Sequence, residues 1–251
     1  MKPRNSTEIG QQRHYTLPNG ATVPSVTTIL NVLDKPWMGA WAAKMVATEA
    51  VDNREWWQDM ARDTAISYLK GVPFRKRDEA ADFGTAVHEV SEAIAADLPF
   101  DIPANAQGHV DALRAWHAIY RPEVLAVETQ VAGDGYGGTF DILARVGGVV
   151  YVIDLKTGKS LDPKWRLQVM AYTEGRPFRD DSWLSWPAPV DDGAVLWVPS
   201  DRPEEWQFLA LDLDDTDWTA FRQAQGLHAW TQRYKKDTGM TLVVPQAEDM
   251  A

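Results

Sequence analysis

Along the first half of the chain apolar residues recur at three- and four-residue intervals. Along much of the second half they alternate with polar ones, and the change falls near residue 122. The first spacing predicts helices over 36–51, 53–69, 78–98 and 105–120. Ahead of them, residues 1–13 read as a loose polar lead and 15–23 as a small hairpin turning at Asn19-Gly20. Ser25 is placed as a helix N-cap before Val26-Thr27-Thr28-Ile29-Leu30. Beyond residue 122 the pattern predicts strands over 124–131, 138–146 and 149–156, and a helix over 163–175. Two more strands follow over 194–199 and 206–213, then a helix over 215–236 and a tail; the Trp- and Pro-rich stretch 177–192 reads as an ordered loop. Helices, three strands, a helix and further strands make an α/β (α+β) fold, a central mixed β-sheet flanked by helices. Residues 1–121 form a mainly helical N-terminal lobe and 122–251 the core sheet with the C-terminal helix, as one integrated domain.

The densest information lies in 138–156. Two apolar, β-type runs flank Gly147-Gly148, the mark of a two-residue hairpin loop. With those glycines in the loop Val146 faces Val149, and counting outward sets Asp141 opposite Asp154 and Thr139 opposite Lys156. One face collects Phe140, Ile142, Ala144, Val146, Val149, Tyr151, Ile153 and Leu155, all apolar or aromatic, and must face the core. The other collects Thr139, Asp141, Leu143, Arg145, Val150, Val152, Asp154 and Lys156. Two carboxylates directly opposite on one face repel. A divalent cation between them would turn that repulsion into coordination, and Lys156 adds a positive group on the same face.

Composition narrows the chemistry. At 45% hydrophobic over 251 residues the chain is globular, with length for a sizeable core. No apolar run reaches the roughly 18 residues of a membrane-spanning helix, and the polar start shows no signal-peptide core. A cytoplasmic protein without membrane contact is therefore expected. Cysteine is absent, which excludes disulfides, thiolate zinc sites and cysteine-held iron–sulfur clusters. A metal site must use His, Asp, Glu or backbone oxygen, ligands suited to Mg²⁺, Mn²⁺ or Ca²⁺. A net charge of −11 argues against a nonspecific nucleic-acid coat. Charge is uneven, however: Asp141 to Arg179 holds seven basic and four acidic residues. Arg75-Lys76-Arg77 reads as solvated surface. The twelve Trp residues read mainly as anchors of core and loops; Trp165, beside the hairpin, is the one placed to stack on a single strand. Gly133 to Gly138 is glycine-dense, but a strand follows it and not a helix, so it is no P-loop.

An acidic residue followed by Asp-Xaa-Lys on a strand is the core of the PD-(D/E)XK nuclease superfamily. Asp154-Leu155-Lys156 resembles its second half and Asp141 its first acidic position, with Phe140 where the name has proline. Gly84-Thr85-Ala86-Val87-His88 resembles the Gly-Xaa-Xaa-Xaa-His element of the RecB-like branch. Thr157-Gly158-Lys159 with the later Gln168 and Tyr172 is similar to that branch's Gln-Xaa-Xaa-Xaa-Tyr pattern. Val23-Pro24-Ser25-Val26-Thr27-Thr28-Ile29-Leu30 is similar to the start of phage-type members. The resemblance spans about residues 15–175 and, without cysteines, points to a phage-type exonuclease lacking an iron–sulfur cluster.

It implies a restriction-endonuclease-like core and a metal-dependent deoxyribonuclease, an exonuclease of DNA recombination, repair or phage DNA processing. Asp141, Asp154 and Lys156 would be catalytic. His88, Asp141, Asp154 and the Leu155 carbonyl would bind one or two Mg²⁺ or Mn²⁺ ions. Thr157, Lys159, Arg166, Gln168 and Tyr172 would meet substrate, with Glu128 and Glu92 supporting from outside the ligand set. DNA is the implied partner, with a helicase, annealing protein or single-strand-binding protein beside it, in a bacterial or phage-infected cell. The competing expectations are a DNA-binding or partner-activated protein on a nuclease fold, and a structure-specific endonuclease.

Overall fold

Gly147 and Gly148 take left-handed backbone, φ +60° and +92°, a conformation open to glycine and poor for other residues. The computed structural model, which describes residues 6–9, 12–33, 35–235 and 239, thus has the expected tight turn there. It fixes the register: Val146 faces Val149, and pairing runs out to Ile142 opposite Ile153. The two strands, β5 (Tyr136–Val146) and β6 (Val149–Lys156), lie inside a seven-stranded sheet. With β4 (Glu123–Gly133), β7 (Arg176–Arg179), β8 (Ser182–Trp183), β9 (Asp192–Trp197) and β10 (Gln207–Ala210), the order is β10-β9-β6-β5-β4-β7-β8. Neighbours β6 and β9 run parallel and the others antiparallel, so the sheet is mixed. A separate three-stranded sheet joins β1 (Ser6–Ile9), β2 (Gln12–Thr16) and β3 (Thr22–Pro24).

Helices cover both faces of the large sheet. On one side α3 (Arg62–Ala95) and α4 (Gln107–Tyr120) bring Val87, Val90, Leu113 and Trp116 against Ile142, Ile153, Leu155 and Leu196. On the other, α1 (Val26–Leu30), α5 (Lys164–Thr173) and α6 (Asp215–Arg233) bring Ile29, Val169, Tyr172 and Phe221 against Leu143, Val150, Val152 and Val195. Ser25 caps α1 as expected, its hydroxyl accepting from Thr28 N at 3.0 Å. The remaining helix, α2 (Trp37–Asp52), packs along α3 and buries none of its residues. The architecture is α+β, a mixed sheet flanked by helices, consistent with a restriction-endonuclease-like core. No described helix is long and apolar enough to cross a membrane.

Several expectations are corrected. The helices expected over 53–69 and 78–98 are one, α3, of 34 residues running through Pro73. Residues 54–56 form a short 3-10 turn before it. Proline normally breaks a helix, but the neighbouring Val72 is buried, so packing carries the helix across. The stretch 177–192 is not all loop: β7 and β8 extend the sheet, and Pro177 is tolerated in β7 near its edge. Part of the polar lead is strand, in β1 and β2. The C-terminal helix ends at Arg233, and residue 236 lies outside the described residues. The mixed hairpin face is buried too, because helices cover it as well: Leu143, Val150 and Val152 are core.

Close backbone packing holds β5 in place. A Cβ on Gly138 would stand 2.3 Å from Cε1 of the buried Tyr172 ring. Gly138→Ala is therefore expected to cost about 1–3 kcal/mol by overpacking, read as a lowered midpoint in urea denaturation. An unchanged midpoint would contradict this packing.

Candidate active site

The site lies where β5 and β6 part. β6 stays paired with β9 as far as Lys156, while β5 stays paired with β4 out to Tyr136. The β5–β6 ladder itself ends at Ile142 and Ile153. This opens a fork at Asp141 and Asp154. Strand alternation also breaks there. Phe140 does not join the Ile142 face, as expected, but the opposite cluster with Leu143 and Val152, stacked on Trp186 at 5.5 Å. On β4, Glu128 lies between the pairs Val127–Ile142 and Thr129–Phe140, with φ +43°. A non-glycine residue in left-handed backbone is uncommon, and here it faces the break in β5.

The two aspartates are consequently not a simple facing pair. Asp141 turns toward α3: its Oδ1 accepts from His88 Nδ1 at 2.9 Å and its Oδ2 from Leu155 N at 2.6 Å. Asp154, 2% exposed, belongs to the α5 side. It is ion-paired with Lys156, and its Oδ1 accepts from Gln168 Nε2 at 3.2 Å. Gln168 in turn accepts from Lys156 Nζ at 3.1 Å and donates to the Tyr172 hydroxyl at 2.8 Å. One amide side chain thus orients both the acid and the lysine of the Asp-Xaa-Lys motif. Thr139 does not face Lys156. It is paired with Gln130, and its hydroxyl bonds the Tyr15 phenol at 3.0 Å, tying the small N-terminal sheet to the fork.

Glu128 completes the arrangement. His88, Glu128 and Asp141 each offer a donor atom lying within 4.8 Å of the others. One imidazole and two carboxylates are a donor set for Mn²⁺ or Mg²⁺. Sequence reasoning left Glu128 in a supporting role; the structure puts it in the cluster, ahead of Asp154. Glu92, one turn beyond His88, stays close enough to act on the Glu128 charge.

Electrostatics fit a cation site. Glu128 lies at the solvent edge of the site, yet partial desolvation there, then the Asp141 charge, pushes its carboxyl up to about 7. Burial pushes Asp141 up as well, but His88, Lys156 and the Leu155 amide outweigh it and hold Asp141 below the usual range. Burial disfavours charge on His88, yet Asp141 beside it raises its pKa overall. Burial raises Asp154 despite Lys156. Below about pH 7 an incoming cation must displace a proton from Glu128, so affinity falls with pH. Calorimetric titration with Mn²⁺ in buffers of different ionisation enthalpy is expected to show at least about one proton released per ion at pH 6. Release at pH 8 should be smaller, and Glu128→Gln should reduce this difference, leaving the share that His88 contributes. A pH-independent release would contradict the placement of Glu128.

The other candidates separate by location. Thr157 lies against α3, where a Cβ on Gly84 would be 3.3 Å from its Oγ1. Lys159 is exposed, 3.8 Å from Asp201. Tyr172 is buried and holds Gln168 from behind. Arg166 clasps α6: it donates to both carboxylate oxygens of Asp217 at 2.9 and 2.6 Å and to the Leu211 and Asp212 carbonyls. That is a structural role, where the sequence had suggested phosphate contact. Trp165 is half-buried against the core beside Gly158. Arg75, Lys76 and Arg77 are exposed on α3; Lys76 pairs with Glu79 and Arg77 with Asp78.

Compared with known proteins, the chain matches no family model and no curated protein. What the fork can do rests on its own residues.

Proposed function

We propose that the chain is a metal-dependent deoxyribonuclease of PD-(D/E)XK type, RecB-like, hydrolysing phosphodiester bonds at the β5–β6 fork. The observation that supports this most is the convergence of His88, Glu128 and Asp141 beside an Asp154–Lys156 pair whose lysine is aimed by Gln168. His88, Glu128 and Asp141 would hold Mg²⁺ or Mn²⁺, with Asp154 and the Leu155 carbonyl as nearby oxygen donors. A bound cation would supply Lewis acidity to the scissile phosphate and a lowered pKa to water.

The chain's own residues do the rest. Lys156 presents its ammonium in the fork, where it can orient the attacking water and offset charge growing on the phosphate oxygens. Asp154 and Gln168 hold that ammonium, and Tyr172 holds Gln168, so the group is fixed before substrate arrives. Leu155 N–H and His88 fix the Asp141 carboxylate between them. Thr157 and Lys159, on the segment leaving β6, are placed to meet the strand next to the cut. By analogy with the family the activity is exonucleolytic, in DNA recombination, repair or phage DNA processing. It would act in a bacterial or phage-infected cell beside a helicase, annealing protein or single-strand-binding protein.

The test is incubation with end-labelled linear single- and double-stranded DNA and with circular DNA, under Mn²⁺, Mg²⁺ or EDTA. Metal-dependent loss of linear DNA with circles intact is expected. Cut circles would make it an endonuclease, and intact DNA under both metals would overturn the nuclease reading.

A further inference from the structure

Beyond the fork, one face of α3 carries aromatic and basic side chains in line with His88. At 3.6 residues per turn, Ile66, Lys70, Phe74, Arg77, Ala81 and Gly84 fall on the His88 side of the helix. Near the sheet this face is occupied, with Gly84 against Thr157 and His88 against Asp141. From Ala81 back to Ile66 it is open to solvent: Phe74 is 56% and Ile66 47% exposed, and Lys70 and Arg77 are exposed as well. The Arg77 guanidinium lies over the Phe74 ring, 5.5 Å from its centroid, and also pairs with Asp78 at 2.7 Å. Between Lys70 and His88 no carboxylate falls on this face.

An exposed ring with a cation about one turn away on each side matches what a single strand offers, a base face between two phosphates. We propose that this face of α3 is the track for single-stranded nucleic acid running to the fork. One base stacks on Phe74, and neighbouring phosphates meet Lys70 and Arg77. The inference rests on the nuclease reading, which makes the fork the strand's other end. The helix rises about 1.5 Å per residue, so Lys70 stands about 27 Å from His88. That is roughly eight stacked nucleotides at ~3.4 Å each. A stacked strand of about four nucleotides seated at the fork, ~14 Å long, stops short of Phe74, whereas one of about sixteen passes it.

The test uses the full chain carrying Asp154→Asn, in EDTA, so that no probe is cut. Fluorescein-labelled single-stranded DNA of about four and about sixteen nucleotides is titrated by anisotropy. Phe74→Ala is expected to raise Kd for the long strand about tenfold and leave the short one unchanged. Arg77→Ala should lower the salt slope for the long strand by about one. Equal affinity of Phe74→Ala and its parent for the long strand would overturn the track. An equal loss on both lengths would overturn it too, since the substitution would then act through the fold. Cleavage by the unmodified chain is scored separately. Cleavage without a Phe74 effect sinks the track alone. A Phe74 effect without cleavage sinks the nuclease reading alone.

Discussion

Lys156→Ala is expected to reduce metal-dependent DNA cleavage by at least about 100-fold, and up to about 1,000-fold, in a chain that still folds. Among the described residues the lysine is the one cation ion-paired to Asp154, and Gln168 adds a second fixed contact. Alanine leaves Asp154 buried without a positive partner. Breaking a buried pair is costly when the remaining charge persists, but this carboxyl is already pushed up by burial and will take a proton instead. The sign of the stability effect follows. A carboxyl whose folded pKa rises further above its unfolded value loses stability as pH climbs through that range. Thermal melting should therefore show the variant's deficit growing as pH is raised. A folded Lys156→Ala chain that cleaves at the parent rate would remove Lys156 from the chemistry.

Asp141→Ala is expected to weaken Mn²⁺ binding by about 100-fold or more and to remove cleavage with it. Asp141 is the hub of the cluster, bonded to His88 and to Leu155 N and grouped with Glu128. Its removal has a readout independent of activity. The Asp141 charge is what lifts His88 against the effect of burial, so without it the His88 pKa should fall. An NMR titration of the imidazole in the metal-free chain checks this. A titration midpoint unchanged by the substitution would contradict the Asp141–His88 contact.

Much of this site was legible in the sequence because β-hairpins obey arithmetic. Gly147-Gly148 set the β5–β6 register, and the observed pairs from Val146–Val149 to Ile142–Ile153 follow it. The same counting from Asp134-Gly135 sets Glu128 opposite Asp141, and the observed β4–β5 pairs beside them agree. That second hairpin held the signal for Glu128, which goes unread when Gly133 to Gly138 is weighed only as a phosphate loop. What periodicity does not carry is the break in alternation at Phe140 and Asp141. It arises because β5 leaves β6 to stay with β4, and because Glu128 takes left-handed backbone. The Arg166 clasp was equally hidden: a basic residue near a motif reads as a phosphate contact until α6 brings Asp217 to it. Long-range partners of this kind, like Tyr15 with Thr139, come from tertiary packing and leave no local trace. The single helix α3 was hidden too, since it runs on through Pro73, a local helix breaker, where the neighbouring Val72 is buried.

The most direct measurement is anomalous diffraction from crystals of the unmodified chain soaked in Mn²⁺. The expected result is a peak coordinated by His88, Glu128 and Asp141, next to the Lys156 ammonium. No peak at the fork, or a manganese ion held elsewhere with His88 still bonded to Asp141, would contradict a metal-dependent nuclease site there.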